Sequence, residues 1–210
     1  MTTSRREYRV GQVGYRGRGR TLAEDWRAVD GASLAALADD VPENLDDAKK
    51  EFGDIATYAS HTDMLENEDL DVITIGTRAG FRPPIVKDAV AKGIRGIYME
   101  KPVADSLDEA DAMIEQCRAG GTVLTIGHQR RWSDHFRWLR DSIKGGGIGQ
   151  PTHGYLYWSA GRVGSNGTHF LDAVSFAIDS APVDVAGSVQ YGLDLTKTDD
   201  NPNLKTRMEE

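Results

Sequence analysis

The spacing of apolar positions changes period repeatedly along the first 127 residues. Residues 8 to 13 read as a short strand, residues 14 to 19 as a turn, and Leu22, Trp26 and Val29, at i, i+4 and i+7, as one face of a helix. "SLAALAD" (33 to 39) predicts a second strand, and Leu45, Ala48 and Phe52 form a helical stripe that Gly53 stops. "DVITIG" (71 to 76) is apolar enough for a central strand buried on both faces, and a helix over 85 to 91 is opened by Pro83-Pro84 and closed by Gly93. "IRGIYM" (94 to 99) predicts another strand. Ser106-Leu107-Asp108-Glu109 has the form of a capping box, its helix continues through Ala110, Ile114 and Cys117 to Gly120, and "TVLTIG" (122 to 127) returns to the sheet. Strands alternating with helices predict the α/β class, a doubly wound parallel sheet of Rossmann type spanning residues 1 to 127.

After residue 127 the pattern changes. Phe136, Leu139 and Ile143 predict a helix ended by Gly145 to Gly147, "THGYLYWSA" (152 to 160) a strand, "THFLDAVSFAID" (168 to 179) a helix, and residues 183 to 191 a further strand. The polar stretch "TKTDDNPNLKTRMEE" offers no core and is expected to be poorly ordered unless something pairs with it.

Composition narrows the partners. The 210 residues are 39% hydrophobic and 28% charged, ordinary for a chain that buries a core. A formal net charge of -8 argues against nucleic acid or an anionic membrane as partner and leaves small molecules. No run approaches the roughly 18 to 20 apolar residues of a membrane span. Ser4-Arg5-Arg6 is followed by no apolar run of signal-peptide length, so a cytoplasmic location is expected. One cysteine, Cys117, excludes an internal disulfide framework and the usual structural zinc patterns, and its place on the apolar side of a predicted helix suits a small buried hydrophobe.

The turn "VGQVGYRGRGR" (10 to 20) carries the first candidate chemistry. A dinucleotide turn uses its first glycine for the tight bend, its second for close approach of backbone to pyrophosphate, and its third for packing of helix on strand. Gly14 and Gly19 fill the first and third places, and Arg16 stands in the second. Arg16 or Arg18 could supply charge-assisted bonds to phosphate at the helix N-terminus, or meet the 2′-phosphate of NADP. An acidic residue should end the second strand to accept ribose hydroxyls, and Asp39 lies there. Asp39 and Asp40 would repel an extra phosphate, which favours NAD over NADP.

Three further segments, "YMEKPVADSLDEADAMIEQC" (98 to 117), "GHQRRWSDHFRWLRDSIKGGGIGQP" (127 to 151) and "NGTHFLD" (166 to 172), resemble successive motifs of the Gfo/Idh/MocA family, that of glucose-fructose oxidoreductase and inositol dehydrogenase. The resemblance covers residues 8 to about 191 in the family's order. It implies that Lys101, in Glu100-Lys101-Pro102, lies between nicotinamide and substrate and binds the hydroxyl that is oxidised. It implies that His169 acts as general acid/base or binds substrate, that Asp172 and Arg131 contribute to substrate binding, and that Thr77, Glu100 and Lys101 join Gly14, Arg16, Gly19 and Asp39 in holding the cofactor. The chemistry is reasonable: a fixed ammonium orients a hydroxyl, and an imidazole exchanges a proton near neutral pH. An orienting role for Asp172 stands beside a capping or buried structural one.

The sequence also departs from the family's pattern. Ser165 stands where many members carry an aspartate four residues before the histidine, and Arg78 and Arg82 replace a threonine-proline start and a later histidine. Those arginines would bind an acidic substrate or be solvated in a loop. Residues 128 to 210 correspond to part of an α+β substrate and oligomerisation domain; so few strands leave open edges, so either the polypeptide belongs to a longer one or another subunit covers them. The activity implied is NAD(P)-dependent hydride transfer from a sugar, cyclitol or related polyol, in a homo-oligomer and without a metal. Redox-neutral glycoside cleavage using NAD, and non-catalytic nucleotide binding, are the alternatives.

Overall fold

The computed structural model describes residues 7–157 and 166–187. They cluster into two compact units, one ending at His128 and one starting at Gln129, and each is described by itself.

The first unit is a six-stranded parallel sheet. In chain order it runs β1 (Tyr8–Val13), α1 (Arg18–Asp25), β2 (Ala32–Ala38), α2 (Pro42–Phe52), β3 (Ala56–Tyr58), α3 (His61–Asn67), β4 (Val72–Ile75), α4 (Arg82–Ala91), β5 (Gly96–Met99), α5 (Leu107–Gly120) and β6 (Val123–Ile126). The strand order β3-β2-β1-β4-β5-β6 reverses direction between β1 and β4. That is the doubly wound arrangement, in which ligands bind beyond the carboxyl ends of the strands at the reversal. Val10, Ala36, Leu37, Ile73, Ile75 and Met99 are at most 1% exposed, as strands covered on both faces require. Each large aliphatic side chain so buried contributes about 1.5–3 kcal/mol.

Local signals set the boundaries. Ser60 Oγ accepts from Asp63 N at 3.0 Å to open α3, and Ser106 Oγ accepts from Glu109 N at 3.2 Å to open α5, while the Glu109 carboxylate returns to Asp105 N. Gly53 ends α2 with φ +72°, and Gly121 ends α5 in the left-handed conformation.

The structure corrects the first helix. α1 stops at Asp25, a short 3₁₀ turn covers Trp26–Ala28, and Val29 is extended rather than helical. Trp26 Nε1 donates to Thr74 Oγ1 at 2.9 Å, so the indole is held by β4 while the chain swings through Gly31 (φ +82°) into β2. β3 and α3 have no counterpart in the hydrophobic pattern, because three and seven residues are too few to show a period.

In the second unit, a 3₁₀ turn (Gln129–Trp132) precedes α6 (Asp134–Lys144), and α7 spans Thr168–Ile178. Phe136, Leu139 and Ile143 are half-buried, and α6 is tied to α7 by Lys144 Nζ to Asp179 at 3.0 Å and by the Arg140 guanidinium 4.7 Å from the Phe176 ring centre. Of the two expected strands, residues 152–157 and 183–187 form none, and the remainder of each lies outside the described residues. A strand exists only with a partner to bond to, and no ladder reaches these segments among the described residues. Ser165 and the polar stretch from residue 196 also lie outside the described residues.

Candidate nucleotide and catalytic site

The glycine turn stands at the carboxyl end of β1, beside the reversal point. Gly14 has φ +82° and donates its N–H to Ala38 O at 2.8 Å, and Gly17 has φ +57° at the residue before α1. A Cβ on Gly19 would lie 2.1 Å from Gly14 O, and one on Gly76 would lie 2.6 Å from Gly19 Cα. Both approaches are backbone on backbone, so β1, α1 and the end of β4 come this close only because these positions lack side chains. Gly17, which the three-glycine scheme did not use, is the second residue in the turn with positive φ; its Cβ position has nothing within 4 Å. Arg16 is exposed, and its guanidinium makes no hydrogen bond or ion pair with any described residue.

Asp39 follows β2 and is largely committed. Its Oδ2 accepts from Tyr15 N at 2.6 Å, and its Oδ1 accepts from Val41 N at 3.0 Å and Asn44 Nδ2 at 2.8 Å. A carboxylate has about four acceptor positions, so one stays open for a ribose hydroxyl. Tyr15 is buried, with its hydroxyl 2.6 Å from Glu51 Oε2 and its ring edge-on to Phe52. Burial, then the Glu51 carboxylate, pushes its phenol well above the ordinary value.

At the end of β4, Thr77 packs against the turn: a Cβ on Gly14 would lie 3.0 Å from its Cγ2, and its Oγ1 is buried with no partner among the described residues. At the end of β5, Glu100 is buried and receives Arg18 Nε at 3.2 Å, so the first residue of α1 reaches across to the Glu-Lys-Pro segment. Lys101 is half-buried, and its ammonium has no hydrogen bond or ion pair with any described residue. Its peptide bond to Pro102 is cis.

Arg82 overturns the expectation of a solvated or substrate-binding arginine. It is 2% exposed, and it donates to Thr77 O from Nε at 3.1 Å and Nη2 at 2.6 Å, and from Nη1 to Glu100 O and Pro102 O. The guanidinium therefore clasps the ends of β4 and β5 on both sides of Lys101. Burial lowers its pKa to about 10, opposed by Glu100 and Asp105, and it stays a cation at neutral pH. Arg78, by contrast, is exposed.

In the second unit, His169 is buried in the first turn of α7. Asp172 is joined to Arg131 by a two-pronged ion pair, with Nε at 3.0 and 2.9 Å from the two carboxylate oxygens and Nη2 at 2.7 Å from Oδ1. The two residues expected to bind substrate thus bind each other. Asp172 holds the Arg131 cation above its ordinary pKa, chiefly through the hydrogen bond. Sequence reading missed this pairing, since nothing in the spacing links residues 131 and 172. It also missed Gln12, which occupies an ordinary strand position in the pattern yet is fully buried beneath the turn.

A glycine turn, a strand-end carboxylate and a strand-end threonine around the reversal of a parallel sheet define a Rossmann dinucleotide unit. Comparison with known proteins agrees: residues 8–128 match the model of the Gfo/Idh/MocA oxidoreductase family with its NAD-binding Rossmann fold, and the chain belongs to that family. It is 27% identical over 143 residues to a myo-inositol 2-dehydrogenase of Thermotoga maritima, covering 68% of this chain and 42% of that protein. It is 31% identical over 153 residues to a D-apiose dehydrogenase of Paraburkholderia graminis, covering 73% of this chain and 40% of the relative. The chain therefore spans about two fifths of the length of these curated relatives. Its fold matches that of scyllo-inositol dehydrogenase from Lactobacillus casei with bound NAD(H) and scyllo-inositol, with TM-score 0.73, 22% identity, and coverage of 82% of this chain and 56% of the other.

No helix among the described residues is long and apolar enough to cross a membrane, and no cluster of metal-ligating side chains occurs among them.

Proposed function

We propose that the chain binds NAD across the carboxyl ends of β1, β2, β4 and β5 and belongs to a dehydrogenase acting on the hydroxyl of a cyclitol, sugar or related polyol. The observation that carries the reading is the meeting of the glycine turn with Thr77 at the β1/β4 reversal, with Lys101 on the adjoining strand end. The buried Thr77 Oγ1, with no partner among the described residues, and the open space at the Cβ position of Gly17 fit a nucleotide. Residues 14 to 19, with Arg16 and Arg18, would hold pyrophosphate, Asp39 the adenosine ribose, and Thr77, Glu100 and Lys101 the nicotinamide end. NAD rather than NADP follows from the negative charge on Asp39.

Bound NAD supplies the hydride acceptor. Lys101 orients the substrate hydroxyl through an ammonium that is unpaired among the described residues and stabilises the oxygen as its proton leaves. By its place in the family's motif, His169 would act as the general base for that proton. The relatives' names as inositol and apiose dehydrogenases support this substrate class over redox-neutral glycoside cleavage. A cytoplasmic homo-oligomer is the accompanying assignment.

Calorimetry with NAD, followed by NADH formation on a panel of inositols, apiose and other sugars, tests the reading. Binding of NAD in preference to NADP is expected. Lys101→Ala and His169→Ala should each lower turnover at least about a hundredfold, the usual reach of acid–base assistance, with NAD still bound. Absence of NAD binding at millimolar concentration refutes the nucleotide assignment, and full turnover in both variants refutes the catalytic one.

A further inference from the structure

Gln12 is the last but one residue of β1, in register with Leu37 of β2 and Thr74 of β4, where a strand covered on both faces calls for an aliphatic side chain. It is instead a fully buried amide. Its Nε2 donates to Gly14 O at 2.8 Å and to Val13 O at 3.2 Å, while Oε1 has no partner among the described residues. Two carbonyls face one end of the amide, which fixes the nitrogen on that side. Cβ atoms built on Gly76 and Gly19 would lie 3.1 and 3.5 Å from this same nitrogen. The amide therefore fills the small space at the junction of β1, β4 and α1 and holds the carbonyl on which the turn pivots. A buried amide with one end unsatisfied is a net cost to folding, so core packing does not account for glutamine here.

We infer that Gln12 is a positioning residue for dinucleotide binding: through the Gly14 carbonyl it sets the orientation of the 14–19 turn and hence of the backbone N–H groups offered to pyrophosphate. The inference rests on the proposed nucleotide role of that turn. Gly14 has positive φ and an N–H held by Ala38 O, so anchoring its carbonyl as well leaves its two peptide planes little freedom. Gly17 and Gly19, two of the next five residues, then take their direction from a fixed start.

The test uses Gln12→Met, close in shape without the donor, and Gln12→Leu, with NAD, ADP-ribose and adenosine as ligands. Losing the unsatisfied Oε1 offsets the lost donor to Gly14 O, so both variants should melt near the temperature of the unaltered chain and lose about fivefold in affinity for NAD and ADP-ribose, the worth of one hydrogen bond. Affinity for adenosine, which has no pyrophosphate, should not change. Unchanged affinity for ADP-ribose in the variants, or an equal loss for adenosine, overturns the inference. If the unaltered chain binds neither NAD nor ADP-ribose, the nucleotide assignment itself falls, and the inference with it. Should both variants fail to fold, hydrogen exchange in the unaltered chain decides: slow exchange of the Gln12 side-chain amide protons supports the clamp, and exchange as fast as that of exposed Gln150 overturns it.

Discussion

Asp39 Oδ2 accepts the backbone N–H of Tyr15 at 2.6 Å, so the end of β2 is bonded to the turn that follows β1. The carboxylate thereby has two tasks, keeping the turn in place and presenting negative charge where a nucleotide ribose would lie. Asp39→Asn removes the charge but leaves one acceptor oxygen, so its amide nitrogen must face either the Tyr15 N–H or the Val41 and Asn44 donors. We expect the ratio of NADP to NAD affinity to rise at least about tenfold, together with some loss of stability from the unmatched donors. Asp39→Ala removes all three bonds and should cost about 1–3 kcal/mol in urea unfolding as well. Calorimetry with both nucleotides reads the first effect, and an unchanged ratio in Asp39→Asn would show that the charge plays no part in selection.

The clasp made by Arg82 leads to a prediction about stability. Arg82→Leu leaves the carbonyls of Thr77, Glu100 and Pro102 without their shared donor in a buried place. The expected loss is about 3 kcal/mol or more, while Arg78→Ala on the exposed neighbouring turn should stay within about 0.5 kcal/mol. Denaturant midpoints of the two variants check this, and equal midpoints would mean that the clasp contributes nothing.

Arg82 also shows where sequence reading stops. Gly14 and Gly19 were legible because close backbone approach has one chemical solution, and the Ser106 cap because its partner is three residues away. Five of the six strands were legible because each is a largely apolar run between turn signals, and the three-residue β3 was too short to show one. Arg82 was not, since its acceptors come from residues 77, 100 and 102 and meet only once β4 and β5 are side by side. Gln12 sits in a strand whose neighbours point to a hydrophobic position, and its target, the Gly14 carbonyl, has no signature of its own. Asp172 and Arg131 were each read as facing a substrate, because a spacing of 41 residues gives no hint that they pair.

Tyr15 and Glu51 give a pH-dependent prediction. The Tyr15 hydroxyl bond, ahead of Arg20 and Arg27, draws the Glu51 carboxyl below its ordinary value of 4.5, against an opposing effect of burial. A lowered native value means the folded state favours the carboxylate. The stabilisation is present above the unfolded value and is lost as pH falls through the native one. Tyr15→Phe removes the principal cause, so the variant should be less stable than the unaltered chain at about pH 7, and the gap should narrow towards about pH 3. Urea midpoints at the two pH values decide it; because phenylalanine keeps the ring on Phe52, a constant gap would mean that the worth of the hydroxyl bond does not depend on the charge of Glu51.

The pairing of Arg131 with Asp172 separates a structural from a substrate-binding role. The fork geometry is the strong form of an ion pair, but Arg131 is 46% exposed, so water and salt weaken it. A double-mutant cycle with Arg131→Ala and Asp172→Ala should give a coupling of about 1 kcal/mol in stability, smaller at high salt. If the pair only braces α7 against the 3₁₀ turn, each variant should raise KM for a polyol no more than it lowers stability, and Arg131→Lys should restore little because it cannot form the fork. A loss of substrate affinity without any coupling in stability would instead mean that a substrate hydroxyl displaces one partner, and the ion pair would then belong to the empty site alone.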